Sequence, residues 1–199
     1  IDKNDNAILA GYWDTNYGTA SWHNFITKLP AIPEDCLNIR KWVDGVVENS
    51  LESLNVRKIH GILFHNPNQL LTNYGAELYT ALDKYKQKNI ISKIGISIYS
   101  PSQLDLILPK FSIDIVQTPF NLIDRRILNS GWLEKLSNKN IEIHIRSVFL
   151  QGLLLMPHNK IPNKFSTWDN VWNKWNKWLA ENKISAVHAC LSFVESFKE

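Results

Sequence analysis

The chain has 199 residues, of which 44% are hydrophobic and 21% charged, with 22 Lys and Arg against 19 Asp and Glu. That apolar content can offset the ordering entropy of a packed core and excludes a disordered or low-complexity chain. The formal charge of +3 comes without a long basic run, and no apolar stretch is long enough for a hydrocarbon core of ~30 Å, so nucleic-acid binding and a membrane span are both excluded.

The two cysteines, Cys36 and Cys190, are far apart and form no CxxC or Cys/His cluster, so neither a disulfide framework nor a metal site is expected. A reducing, cytoplasmic setting follows. The start, Ile1-Asp2-Lys3-Asn4-Asp5-Asn6, has neither the basic nor the apolar region of a secretion signal. Because it begins on Ile1, the chain is expected to be a fragment cut from something longer.

The first β-branched run, 25–29, stops at Pro30, and Val43, Val46, Val47, Leu51 and Leu54 then recur at helical spacing. A second strand is predicted over 59–65, before Pro67, followed by a helix with Leu78, Ala81, Leu82 and Tyr85 on one face. The third, 93–98, ends before Pro101, and Leu104, Ile107 and Leu108 suggest a shorter helix. The fourth, 113–117, ends before Pro119 and is followed by a helix over 131–138. The fifth, 141–147, opens into a loop containing Gly152, and 184–197 closes the chain as an amphipathic helix. Trp168, Trp172, Trp175 and Trp178, spaced by four, three and three, are expected to pack one helical face against a core.

Strand followed by helix, five times, leaves two architectures: an open doubly wound sheet or part of a (β/α)8 barrel. Lys28, His65, Ser97, Gln117 and Ser147 each fall at or near the C-terminal end of a strand, about one βα unit apart. A polar ring contributed one residue per strand end is how barrel enzymes build a site. No GxGxxG follows any strand, which weakens the open-sheet alternative. A complete barrel takes roughly 250 residues. The expectation is therefore an α/β fold, an incomplete (β/α)8 TIM barrel with about strands 3 to 7 and their helices, forming one partial domain over 1–199.

Five segments in order resemble the aldo/keto reductase family, in particular its bacterial NADP-dependent oxidoreductase branch. Thr27-Lys28-Leu29-Pro30 is similar to its third-strand lysine motif, and Leu63-Phe64-His65-Asn66-Pro67 to its fourth-strand histidine motif. Lys93-Ile94-Gly95-Ile96-Ser97 with Tyr99-Ser100 is similar to the fifth-strand signature, and Val116-Gln117-Thr118-Pro119-Phe120-Asn121 to the sixth. Arg146-Ser147-Val148-Phe149-Leu150-Gln151-Gly152 resembles the seventh-strand cofactor loop.

The resemblance implies NAD(P)H-dependent reduction of a small aldehyde or ketone to an alcohol, or the reverse, with NADP or NAD as cofactor. It implies catalytic roles for Lys28, whose ammonium would favour a tyrosine phenolate, and for His65, which would hydrogen-bond the carbonyl oxygen. It also implies cofactor contacts: Ser97 and Gln117 on the nicotinamide carboxamide, Arg146 against the ring, and Ser147, Phe149 and Gln151 along the pyrophosphate.

The family's Asp-Thr-Ala-x-x-Tyr-Gly motif, which carries the proton-donating tyrosine, has no match. Trp13-Asp14-Thr15-Asn16-Tyr17-Gly18 imitates it, but Tyr17 lies too close to Lys28 for the helix and strand that should intervene. Ile98 stands where the family has asparagine. This fragment is therefore expected to be inactive on its own, and the alternative is a degenerate barrel serving as a binding or regulatory protein. A lysine-dependent aldolase, with Lys28 forming a Schiff base, is a more distant alternative. His60, His144 and His158 read as hydrogen-bonded core or loop histidines, and Asp124-Arg125-Arg126 as a local ion pair at a helix entry.

Overall fold

A computed structural model of the protein describes residues 24–197. The segments at 1–6 and 13–18 lie outside the described residues. Five strands, β1 Ile26–Leu29, β2 Ile59–Phe64, β3 Ile91–Ser97, β4 Ile115–Pro119 and β5 Glu142–Arg146, form one sheet in the order β1-β2-β3-β4-β5. The pairings β1 to β2, β2 to β3 and β3 to β4 are all parallel. Among the described residues seven α-helices alternate with or follow them: α1 Ile39–Ser53, α2 Gly75–Gln87, α3 Ser102–Ile107, α4 Arg126–Asn129, α5 Trp132–Asn138, α6 Asp169–Asn182 and α7 Ala186–Glu195. Consecutive strands are sheet neighbours throughout, as in a barrel wound one stave at a time.

The punctuation that makes these elements is local chemistry. The Asn38 side chain caps α1 by accepting from the Lys41 N–H at 2.9 Å, and Ser185 caps α7 through the His188 N–H at 3.2 Å. Three strands are entered by one device, an asparagine in the left-handed region just after a helix: Asn55 (φ 51°) before β2, Asn89 (φ 58°) before β3 and Asn140 (φ 53°) before β5. Asparagine tolerates that conformation better than most residues, so the chain can stop a helix and turn into the sheet within a few residues.

The chain divides into two compact units, one comprising 24–118 with Lys135–His144 and the other Pro119–Glu134 with 145–197. In the first, α1 buries Val43 and Val47, and α2 buries Leu78, Ala81, Leu82 and Tyr85. The Tyr85 hydroxyl donates to Asp44 Oδ1 at 2.8 Å and ties the two helices together. Ile26, Leu63 and Ile115 cluster on the opposite face of the sheet. Two glycines permit that cluster: a Cβ on Gly61 would meet Ile115 Cδ1 at 2.5 Å, and one on Gly95 would meet Leu63 Cδ2 at 2.3 Å and the Ile115 carbonyl at 2.6 Å. Large side chains thus fill the space that small ones leave, the packing rule of barrel interiors.

The second unit is built around Leu153, Leu154, Trp172 and Cys190, with Phe149, Phe165 and Trp175 packed against them. Here the tryptophan stripe departs from expectation. Trp172 is buried and donates through Nε1 to the Phe165 carbonyl at 3.1 Å, but Trp168 is 51% and Trp178 45% exposed. Each three-residue step falls about 60° short of a full turn, which carries Trp178 off the buried face, and Trp168 precedes the first residue of α6. Trp175 and Trp178 stack on each other instead, ring centroids 5.8 Å apart. The Asp124–Arg126 ion pair forms as expected at the entry to α4, with Arg126 Nη2 2.7 Å from Asp124 Oδ2. No helix among the described residues is long and apolar enough to cross a membrane.

Candidate active site

The β1–β2–β3–β4 register fixes which side chains share a face. Lys28 pairs with Leu63, Leu63 with Gly95, and Gly95 with Ile115, so those four positions form one row. His65, Ser97 and Gln117 each lie two residues further along their strands. Because side chains alternate with a period of two, they stand on the same face, one layer nearer the C-terminal ends. The ladder still holds at His65, whose N–H donates to the Leu29 carbonyl at 2.9 Å. All four sequence-predicted residues of this unit therefore occupy one face at one end of the sheet, Lys28 in the row of Leu63 and Ile115 and the other three one layer above it.

Their surroundings differ. Ser97 is buried and donates to Gln117 Oε1 at 3.1 Å, and the Ile98 N–H adds a 2.8 Å bond to the Gln117 carbonyl. Gln117 and Lys28 are half-buried and His65 is exposed. The Ser97–Gln117 bond leaves the carboxamide nitrogen of Gln117 available as a donor while fixing its orientation. Beside these strand ends lies a groove of about 610 Å³, between the loops that follow β1 and β2, with Glu34, Asn66, Asn68 and Tyr74 among its walls. Gln69 braces it by accepting from the Ile32 N–H at 3.1 Å. Neither Lys28 nor His65 lines it.

Arg146, Ser147, Phe149 and Gln151 fall in the second unit, where β5 gives way to a tight coil. Ser147 (φ 59°), Leu150 (φ 48°) and Gln151 (φ 55°) all have left-handed backbones, and Gly152 follows at φ 88°. The Leu150 N–H closes onto the Ser147 carbonyl at 2.9 Å and the Gly152 N–H onto the Phe149 carbonyl at 2.9 Å. Arg146 Nη1 donates to Ser147 Oγ at 3.3 Å. Phe149 is half-buried and packs against the Leu153–Trp172 cluster, so its side chain anchors the coil against that core, and Gln151 is exposed.

Two groups were invisible to motif reading. Glu142, at the start of β5, accepts from Lys93 Nζ and contacts His144 Nε2 at 2.5 Å and His60 Nε2 at 3.1 Å. Burial pushes its carboxyl up, but the bonds from Lys93, His144 and His60 outweigh this and hold it at about 2. The cluster gathers at the strand starts, opposite the end that carries Lys28 and Ser97. The sequence signal was Glu142-x-His144, two polar residues on one face of a strand. Asn121, quoted above only as part of a motif, is buried with both its carboxamide oxygen and nitrogen hydrogen-bonded.

The sequence profile described as the aldo/keto reductase family matches residues 26–196. The chain belongs to the aldo/keto reductase family. Among solved structures it is similar to glycerol dehydrogenase AKR11B4 from Gluconobacter oxydans, at 20% identity and a TM-score of 0.58, over 78% of this chain and 51% of that one. It is also similar to the aldo-keto reductase AKR11C1 from Bacillus halodurans in its holo form, at 20% identity and a TM-score of 0.54, over 66% and 43%. These likenesses establish the fold, an incomplete (β/α)8 barrel. The chain spans about half the length of the solved structures it matches. No curated protein matches it.

Proposed function

We propose that the protein reduces an aldehyde or ketone with NADPH, or oxidises the alcohol, through the polar strand ends of its barrel. The observation that carries this reading is the single row of His65, Ser97 and Gln117, with Lys28 one layer below on the same face. The donor set fits a nicotinamide: a carboxamide ligand wants one acceptor and one donor side by side, and the bonded Ser97–Gln117 pair offers both. Arg146, Ser147, Phe149 and Gln151 are proposed to meet the rest of the dinucleotide, Phe149 through its backbone because its half-buried ring packs against the Leu153–Trp172 cluster. When bound, the cofactor supplies hydride.

In this reading His65 hydrogen-bonds the carbonyl oxygen as negative charge grows there, and the Lys28 ammonium lowers the cost of the phenolate left when a tyrosine gives up its proton. No tyrosine among the described residues is assigned as that donor, and this piece of chain is accordingly proposed to be inactive alone. The free thiols of Cys36 and Cys190 accord with a reducing, cytoplasmic setting.

The test is aldehyde-dependent NADPH oxidation by the intact protein. Lys28→Met should lower kcat by about 10²- to 10⁴-fold while leaving NADPH affinity within a few-fold. Turnover unaffected by Lys28→Met would reject the reading.

A further inference from the structure

We infer that Asn121 is the positioning residue of the coil after β5, holding Ser147–Gly152 in the shape that receives the dinucleotide; this rests on the function proposed above. Three non-glycine residues within five, Ser147, Leu150 and Gln151, sit in the left-handed region. Such residues are unfavourable individually and persist only where neighbours over-determine them.

Asn121 is the neighbour that does so. It is 1% exposed and lies two residues after β4, and its carboxamide is used at both ends. Oδ1 accepts from the Ile123 N–H at 2.9 Å and the Asp124 N–H at 2.8 Å, fixing the turn after β4. Nδ2 donates at 3.0 Å to the Ser147 carbonyl, the same oxygen that receives the Leu150 N–H. The first left-handed residue is thus held from inside the protein, and the bond it shares with Leu150 starts the coil. Phe120, one residue earlier, adds a backbone bond to the Arg146 carbonyl at 3.1 Å, so the turn after β4 grips the chain on two consecutive residues, Arg146 and Ser147.

Asn121→Asp separates the two ends of this side chain. It keeps the acceptor for Ile123 and Asp124 but sets a carboxylate oxygen against the Ser147 carbonyl, with no donor between them. A protonated carboxyl restores the donor, so the defect should be reversible by acid. In the intact protein, NADP⁺ binding followed by tryptophan fluorescence at pH 8 should weaken about tenfold or more in Asn121→Asp. The loss should recede as pH is lowered toward 5, against a wild type measured at each pH. Asn121→Ala should weaken binding without recovering at low pH.

Amide exchange of the cofactor-free protein gives a second readout: the Leu150 and Gly152 N–H groups should exchange faster in Asn121→Asp at pH 8 and regain protection at low pH. Wild-type affinity and protection in Asn121→Asp at pH 8, or equal recovery by Asn121→Ala, would overturn the inference. Faster coil exchange with unchanged NADP⁺ affinity would overturn it too, leaving Asn121 a fold residue only. A wild type that binds no NADP⁺ would instead overturn the proposed function, while the exchange data still decide whether Asn121 holds the coil.

Discussion

Removing the charge of Glu142 should destabilise the fold in a pH-dependent way. The carboxylate accepts from Lys93 and is shared with His144 and His60. Burial alone would raise its proton affinity, yet these partners bring it from 4.5 to about 2. At about 1.4 kcal/mol per tenfold change in proton affinity, that is about 3 kcal/mol of preference for the charged form in the folded state. The side chain is still 28% exposed, and solvent screening reduces the figure to about 2 kcal/mol. Glu142→Gln, which keeps the shape and removes the charge, should therefore lower unfolding free energy at pH 7 by about 2 kcal/mol. Because the folded carboxyl is depressed, its contribution is complete above its ordinary value near 4.5 and is lost as pH falls toward 2. Urea unfolding at pH 7 and pH 3 measures both effects: wild type should lose stability between them by more than the variant does. A variant within 0.5 kcal/mol of wild type at pH 7, or parallel pH curves, would refute the argument, the threshold being the ordinary scatter of about 0.5 kcal/mol for inconsequential substitutions.

Gly95→Ala should destabilise by about 3 kcal/mol, because its Cβ would lie 2.6 Å from the Ile115 carbonyl, which cannot move without breaking the β3–β4 ladder; thermal melting checks it. Since Gly95 precedes Ser97 by two residues on the same strand face, any surviving Gly95→Ala protein should also bind NADPH more weakly in a fluorescence titration. Trp172→Ala should cost about 3–5 kcal/mol in urea unfolding, whereas Trp178→Ala, at 45% exposed, should cost less than about 1 kcal/mol.

The strands were legible because proline and asparagine punctuate them. Pro30 and Pro67 follow β1 and β2 closely, and the observed edges differ from expectation by one or two residues where side chains intervene. The fourth strand starts at Ile115 and not at 113, because the Asp114 carboxylate turns to take the Ile94 N–H at 2.8 Å and Lys86 Nζ at 2.5 Å. It runs on through Pro119, whose missing N–H costs nothing at the last position of a ladder. The common face of Lys28, His65, Ser97 and Gln117 could not be read from spacing. It depends on register, and shifting any strand by one residue would have turned its polar side chain toward the helices. Asn121 and Glu142 escaped for a different reason: their partners lie 26 residues away at Ser147 and 49 and 82 residues away at Lys93 and His60, beyond the reach of local pattern.

The central claim is that a nicotinamide is held at the C-terminal strand ends by the Ser97–Gln117 pair. Quenching and energy transfer of NADPH fluorescence, titrated into the intact protein and into Ser97→Ala and Gln117→Ala, test it most directly. Wild type should bind saturably, with an affinity about tenfold lower in each variant, the loss of a buried hydrogen bond. A flat wild-type response up to millimolar NADPH, or variants that bind as tightly as wild type, would contradict it.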